Sequence, residues 1–339
     1  MSKLKVGVVG VGFIGQLHAR TVAESEGAEL AAVIDISGQQ GQLVANRHGA
    51  RYFPDIDRAI SAGGIDAFVV ALPDTMHQET TCRLLERGLP VLVEKPMAHT
   101  LAAAKAMAAA EMKGGGRLLV AHILRFDPRY VQAAAAVRDG RIGQPIHGSS
   151  GRFTVRDIGV RLNGTSSPCF YLGVHDVDAL QWITGANITR VYSRAVSKLM
   201  PSLGVKSEDA ILSTCELENG ISGQLHCGWT LPNDIPTGIW ARTEVIGTEG
   251  VIDLDVRDHG LRVHSRGSWG LPDGLHWPEV NGRIMGDLHE EIRHFVEAVR
   301  TDKPFVMKLE EAMRNVAVND AIIRSVASGR PEAVESWAL

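Results

Sequence analysis

Six residues near the start of the chain, Gly10-Val11-Gly12-Phe13-Ile14-Gly15, constrain the fold more than any other segment. They follow the apolar run Leu4–Val9 and open a stretch with helical spacing, Ile14–Ala23. In that context each glycine has a distinct physical task. Gly10 permits a tight turn, Gly12 lets the backbone approach a pyrophosphate, and Gly15 lets helix and strand pack closely. The N–H groups freed at the helix start then bind phosphate, with Phe13 and Ile14 in the contacting turn. Asp35 ends the next apolar run, 20 residues past Gly15, where an acid reaches the adenosine ribose hydroxyls. A carboxylate there repels a 2′-phosphate, and Ile36 and Ser37 bring no arginine to offset it. The expected cofactor is therefore NAD in preference to NADP. The loop lacks the Lys-Ser/Thr of an ATP-binding phosphate loop.

The pattern around this loop continues as an alternation. Apolar runs Leu30–Ile34, Ala67–Ala71, Val91–Val93 and Leu118–Val120 are separated by helical stretches Gln39–Arg47, His77–Glu86 and Leu101–Met112. Strands alternating with helices imply crossover connections and a parallel sheet covered on both faces. Beyond residue 122 the texture changes. A helix is expected over Asp127–Asp139, with Pro128 in its first turn. Strand-like pieces then dominate: Ile146–Val155, Ile188–Val196, Ala210–Glu216, Ile221–Cys227, Arg242–Ile246, Val251–Asp255 and Leu261–His264. Glu218-Asn219-Gly220 reads as a hairpin turn between two of them. Helices are expected at Tyr171–Ile183, Asp287–Arg300 and Glu310–Ser328. The fold class is α/β: an N-terminal Rossmann dinucleotide-binding domain, residues 1–122, and a C-terminal α/β domain, residues 123–339, with a large, mostly antiparallel open sheet. An open sheet face that is partly apolar commonly meets a second copy, so a homodimer or homotetramer through that sheet is expected.

Composition narrows the partners. Thirty-five Lys and Arg against 39 Asp and Glu leave a formal charge of −4, which gives no electrostatic reason to expect nucleic acid or an anionic membrane. No apolar run approaches a membrane span, and Met-Ser-Lys-Leu-Lys has no signal-peptide core, so a cytoplasmic location is expected. The four cysteines form no Cys-x-x-Cys pair, and no metal site is expected. His289 and His294 are five apart and diverge around a helix, whereas a zincin pair needs four. Gly148-Ser149-Ser150-Gly151 is not a nucleophile elbow.

Ala71-Leu72-Pro73-Asp74-Thr75-Met76-His77, followed by Val93-Glu94-Lys95-Pro96, resembles the Gfo/Idh/MocA oxidoreductases, the family of glucose–fructose oxidoreductase and inositol dehydrogenase. His18 after the glycine loop, Arg125-Phe126-Asp127-Pro128 and Glu244-Val245-Ile246-Gly247-Thr248-Glu249-Gly250 fit the same pattern in order. The resemblance implies that Lys95 acts in proton transfer and substrate binding and that Glu94 contacts the nicotinamide ribose. Pro73, Asp74 and His77, on a neighbouring strand-to-helix turn, are expected to line the dinucleotide.

Tyr171-Leu172-Gly173-Val174-His175-Asp176-Val177-Asp178 matches the family's second signature. At 100° per residue Tyr171, His175, Asp178 and Trp182 share one helical stripe and Asp176 points elsewhere. Such a stripe suits a wall for a polyhydroxy ring. The family pattern has Asp four residues before the histidine; this chain has Tyr171. Either Tyr171 offers its hydroxyl to substrate, or Lys95 and His175 act without a carboxylate. Imidazole, with an ordinary pKa near 6.5, is the first choice for base, and the opposite assignment with Lys95 as base stays open. Arg125, at the junction between the domains, orients substrate or bridges them. The activity implied is hydride transfer between NAD(P) and a sugar or polyol, inositol-type, hydroxyl or carbonyl. The alternatives are reduction of a non-sugar carbonyl or imine, and a non-catalytic dinucleotide-sensing regulator.

Overall fold

The computed structural model describes residues 2–257, 259–266 and 268–337. The chain forms two compact units: Met1–Phe126 with Leu275–Met313, and Asp127–Gly274 with Arg314–Trp337. Residues 275–313 thus pack with the first unit, although they follow the antiparallel strands in sequence.

In the first unit the elements run β1 (Leu4–Val9), α1 (Phe13–Glu24), β2 (Ala28–Ile34), α2 (Gly38–His48), β3 (Arg51–Phe53), α3 (Ile56–Ala62), β4 (Ala67–Val70), α4 (His77–Leu85), β5 (Val91–Glu94), α5 (Leu101–Gly114) and β6 (Leu118–Ala121). The six strands form one parallel sheet in the order β3-β2-β1-β4-β5-β6. Val6, Val8, Val33, Val69 and Leu92 are fully enclosed, as a sheet covered on both faces requires. Ser37, Asp55 and Thr100 cap the starts of α2, α3 and α5 with side-chain oxygens. Strand order reverses between β1 and β4. In such sheets the loops at the carboxyl ends diverge at this switch point and leave a crevice for ligand.

The second unit contains α6 (Pro128–Arg138), β7 (Pro145–Val155), α7 (Arg156–Leu162), a π turn at Cys169–Gly173, α8 (Val174–Thr184), β8 (Ile188–Val196), the single turn α9 (Leu199–Ser202), β9 (Ala210–Leu217), β10 (Ser222–Leu231), β11 (Ile239–Gly247) and β12 (Val251–Asp255). Its sheet runs β12-β11-β7-β10-β9-β8, with Glu332–Ala333 pairing at the β8 edge. All pairs are antiparallel except β7 with β10. The β9–β10 hairpin turns at Glu218–Gly220 with Asn219 and Gly220 at positive φ, as the Asn-Gly pair demands. One sheet face buries Ile211, Cys215, Leu225 and Cys227 in the core, while Tyr192, Leu212 and Trp240 alternate outward and are exposed. Burial pushes the Cys215 thiol up to about 12 and the Cys227 thiol higher still, so both remain protonated and inert.

The strand expected over Leu261–His264 is shifted to Val263–Ser265, which pairs with Ser268–Gly270. Among the described residues no helix is long and apolar enough to cross a membrane. Helix α10 (Asp287–Thr301) belongs to the first unit, and α11 (Leu309–Ser328) contributes to both.

Candidate active site

The glycine loop sits at the carboxyl end of β1, on the switch-point side of the sheet. Gly10 has φ +81°, and a Cβ there would lie 2.7 Å from the Ala71 carbonyl oxygen; one at Gly15 would lie 1.9 Å from the Gly10 oxygen. Gly12 is different, for a Cβ built on it meets nothing within 4 Å. Its surroundings are open, as close approach of a ligand to the backbone would require. No side chain caps α1 and no acid sits in its first turn, which leaves the leading N–H groups to an anion. These features fit the pyrophosphate of a dinucleotide. Phe13 is exposed, and its ring meets Trp277 edge-on. Ile14, in the same turn, is half-buried.

Asp35 stands at the end of β2. One carboxylate oxygen accepts from the Val11 N–H (2.8 Å) and the other from the Ser37 N–H (2.8 Å). The residue therefore fixes the glycine loop, while each oxygen keeps a lone pair for a ribose hydroxyl.

The loops after β4 and β5 are tied together. His77 is buried between two carbonyls, with Nδ1 2.9 Å from the Pro96 oxygen and Nε2 2.9 Å from the Leu72 oxygen. Burial lowers its pKa against the pull of those carbonyls, so the neutral ring donates to one of them at a time. The structure thus places His77 as a strut beneath the loops that carry Pro73 and Lys95. Asp74 receives the Thr75 N–H and lies 3.2 Å from His99 Nδ1. The hydrogen bond to Asp74 raises the His99 pKa. Glu94 ends β5. Its Oε1 lies 2.8 Å from Nε2 of the fully buried His18, and its Oε2 accepts from the Lys95 N–H at 3.2 Å. Burial opposes ionisation of Glu94. The His18 hydrogen bond and the charge of Lys95 prevail and hold its pKa below the ordinary value. Lys95 itself is half-buried. Arg125 is buried and ion-paired with Glu311 at 3.2 Å, both within the first unit.

In the second unit the segment 169–184 is not one uniform helix. The π turn at Cys169–Gly173 precedes α8 and departs from the 100° step used to align Tyr171 with His175. The Tyr171 ring packs against Trp229, and its hydroxyl accepts from Arg161 Nη2 at 3.1 Å. His175 lies half-buried in the first turn of α8. Asp178 is buried, and its Oδ1 accepts from Asn315 Nδ2 at 2.9 Å. Asn315 accepts in turn from Gln181, whose oxygen accepts from the Ile188 N–H. This chain anchors α8 to α11. Asp176 points away from the stripe, as expected, into a buried pair with Arg152 (3.3 Å) and a bond from Ser150 (2.9 Å). His99 and Arg161, both in contact with expected site residues, carried no motif signal. Only the fold brings them there.

This parallel sheet with its phosphate-ready glycine loop, followed by the mixed sheet, defines a two-module nicotinamide-dependent oxidoreductase. The family model described as the oxidoreductase family with an NAD-binding Rossmann fold matches residues 4–122, and that of the GFO/IDH/MocA C-terminal domain matches residues 130–253. The chain belongs to the Gfo/Idh/MocA family. It is 29% identical to the inositol 2-dehydrogenase of Rubrobacter xylanophilus, over 98% of this chain and 94% of that protein. It is 28% identical to the rhizopine catabolism protein MocA of Rhizobium meliloti, over 95% and 94%. Among solved structures, GenD2 from gentamicin A biosynthesis in complex with NAD superposes with a TM-score of 0.87 at 26% identity, covering 99% of this chain and 97% of that one.

Proposed function

We propose that this protein is an NAD-dependent dehydrogenase of a cyclic polyol of the inositol type. The observation that carries this reading is the full-length likeness to an inositol 2-dehydrogenase, joined to a chain that keeps Glu94, Lys95 and His175 at the expected positions. Gly10, Gly12, Phe13, Ile14 and Gly15 cradle the pyrophosphate. Asp35 takes the ribose hydroxyls and disfavours NADP, Pro73 and Asp74 line the dinucleotide above the His77 strut, and Glu94 meets the nicotinamide ribose. When bound, the cofactor supplies a hydride acceptor. The chain's own residues handle the proton. The Lys95 ammonium polarises the substrate hydroxyl and stabilises charge developing on its oxygen. His175 accepts the hydroxyl proton, and a reversal of the two roles would appear as an exchange of their effects on the pH–rate profile. The Tyr171 hydroxyl, held by Arg161, offers the substrate a hydrogen bond where relatives of this pattern use a carboxylate. Asp178 holds α8 in place for it, and Arg125 sets the loop after β6.

Residues 1–122 serve as the cofactor module, with 275–313 packed into the same unit, and the remainder of 123–339 as the substrate module, in a cytoplasmic homodimer or homotetramer. The exposed sheet face with Tyr192, Leu212 and Trp240 supports assembly through that surface. The test is turnover of a panel of inositols and sugars with NAD, read as NADH absorbance. Oxidation of at least one inositol is expected. No turnover across the panel by protein that binds NADH normally would overturn the substrate assignment.

A further inference from the structure

Residues 275–286 return to the first unit before α10 begins. The two ends of this stretch meet. The Leu275 carbonyl accepts from the Asp287 N–H at 2.7 Å, the His276 carbonyl accepts from the Leu288 N–H at 2.9 Å, and His276 Nδ1 lies 2.9 Å from the Asp287 carboxylate. Gly286 closes the loop at φ +78°, where a Cβ would lie 2.0 Å from the Leu275 oxygen. Between the ends, Glu279–Val280 pairs with Arg283–Ile284 in a short hairpin. Closed ends and a self-paired body mark a compact surface loop of the kind that commonly carries function.

This loop lies along one face of α1. Arg20 donates to the Glu279 carboxylate at 2.9 Å and to the Gly282 carbonyl at 2.9 Å, and Glu24 accepts from the Ile284 N–H at 2.7 Å. Steps of seven and eleven residues return to within about 20° of a helix's starting direction, so Phe13 heads the same face as Arg20 and Glu24. There the Phe13 and Trp277 rings meet edge-on, with centroids 6.2 Å apart. Phe13 is nevertheless 65% exposed, and Trp277 is half-buried. The polar ties already hold the loop to α1, so the aromatic pair is not needed for that task. It leaves apolar ring surface in water one residue from Gly12, where a Cβ meets nothing within 4 Å and no side chain caps the helix.

We propose that Trp277 is a further cofactor-binding residue: with Phe13 it covers the pyrophosphate held at the start of α1. The assignment rests on the glycine loop serving as the dinucleotide cradle. An aromatic cover keeps water off the phosphates, and in the lower local dielectric the leading N–H groups hold them more strongly. The exposed Phe13 ring leaves water in the same step. The loop thus adds a cofactor contact from outside residues 4–122, the stretch matched by the NAD-binding family model.

Of the six tryptophans only Trp277 lies in the first unit, and its emission is the difference between wild type and Trp277→Phe. That difference should move to shorter wavelength, as water leaves the indole, on saturation with NAD or with ADP-ribose, which carries the pyrophosphate without the nicotinamide. AMP, with a single phosphate, should leave it unmoved. By calorimetry Trp277→Ala should weaken NADH binding about threefold to tenfold, the usual reach of an aromatic contact, and W277F should stay within about twofold of wild type. The emission measurement uses only W277F, which keeps an aromatic ring, so it decides the point even where W277A does not fold. A difference emission unmoved by saturating NAD or ADP-ribose, an equal shift with AMP, or W277A binding NADH as tightly as wild type would overturn the contact and leave the cradle intact. No NADH binding by the wild-type protein would overturn both.

Discussion

Asp35→Asn isolates the charge at the end of β2 from the hydrogen bonds made there. The amide oxygen can still accept from the Val11 or Ser37 N–H, so the glycine loop keeps one of its two ties. The negative charge is removed. A carboxylate about 4 Å from a phosphate oxygen costs about 1 kcal/mol per unit charge in water and about 4 kcal/mol at an effective dielectric near 20. Asp35 is half-buried, so a value of about 2 kcal/mol applies, which is about a 30-fold change in affinity. Titration calorimetry with NADH and NADPH on wild type and D35N requires no substrate. The ratio of the two dissociation constants should move toward NADPH by about that factor, chiefly through tighter NADPH binding. A ratio unchanged within about twofold would refute the placement of Asp35 beside the adenosine ribose, since that placement leaves the charge no way to be silent.

Other consequences are open to direct measurement. Gly15→Ala puts a methyl group 1.9 Å from the Gly10 oxygen, so the loop must move; NADH affinity should fall by about fivefold to 150-fold, as overpacking of about 1–3 kcal/mol implies. Asp178→Leu leaves the Asn315 amide without its acceptor inside the second unit; denaturant unfolding should show a loss of about 1–3 kcal/mol, and less for Asp178→Asn. His99 has a raised folded pKa, so its bond to Asp74 stabilises fully below pH 6.5 and fades as pH rises through the folded value. The melting-temperature difference between wild type and His99→Ala should shrink from pH 6 to pH 8. Glu291 shifts stability with the same sign but from a lower pH. A carboxyl held protonated in the fold but ionised when unfolded loses stability as pH climbs above about 4.5, so E291Q should gain on wild type in melting temperature between pH 5 and pH 8.

Much of the first unit is legible in its residues because local pattern and tertiary demand agree there. The glycine spacing, the β-branched runs and Asp35 all answer to one requirement, a parallel sheet with phosphate at a helix start. Arg51–Phe53 escaped because three residues with an exposed arginine carry no periodicity. The second unit is less readable. The alternation in its strands predicts a half-exposed sheet, but nothing local says that β7 and β10 run parallel, since that register is set by the chain returning across the sheet. The π turn before α8 likewise has no sequence period of its own, and it changes how Tyr171 faces relative to His175. The partnerships of Glu94 with His18, of Arg125 with Glu311 and of Asp178 with Asn315 link residues 76, 186 and 137 positions apart. A motif can name one member of such a pair, but only the folded chain supplies the other.

In the proposed function an ammonium and an imidazole share the work on one carbinol. Lys95→Ala and His175→Ala, assayed for polyol oxidation alongside NADH binding, test this most directly. Each should cut turnover by about 10²–10⁴-fold, the usual reach of acid–base assistance, with NADH still bound. Near-wild-type turnover in both variants would contradict it.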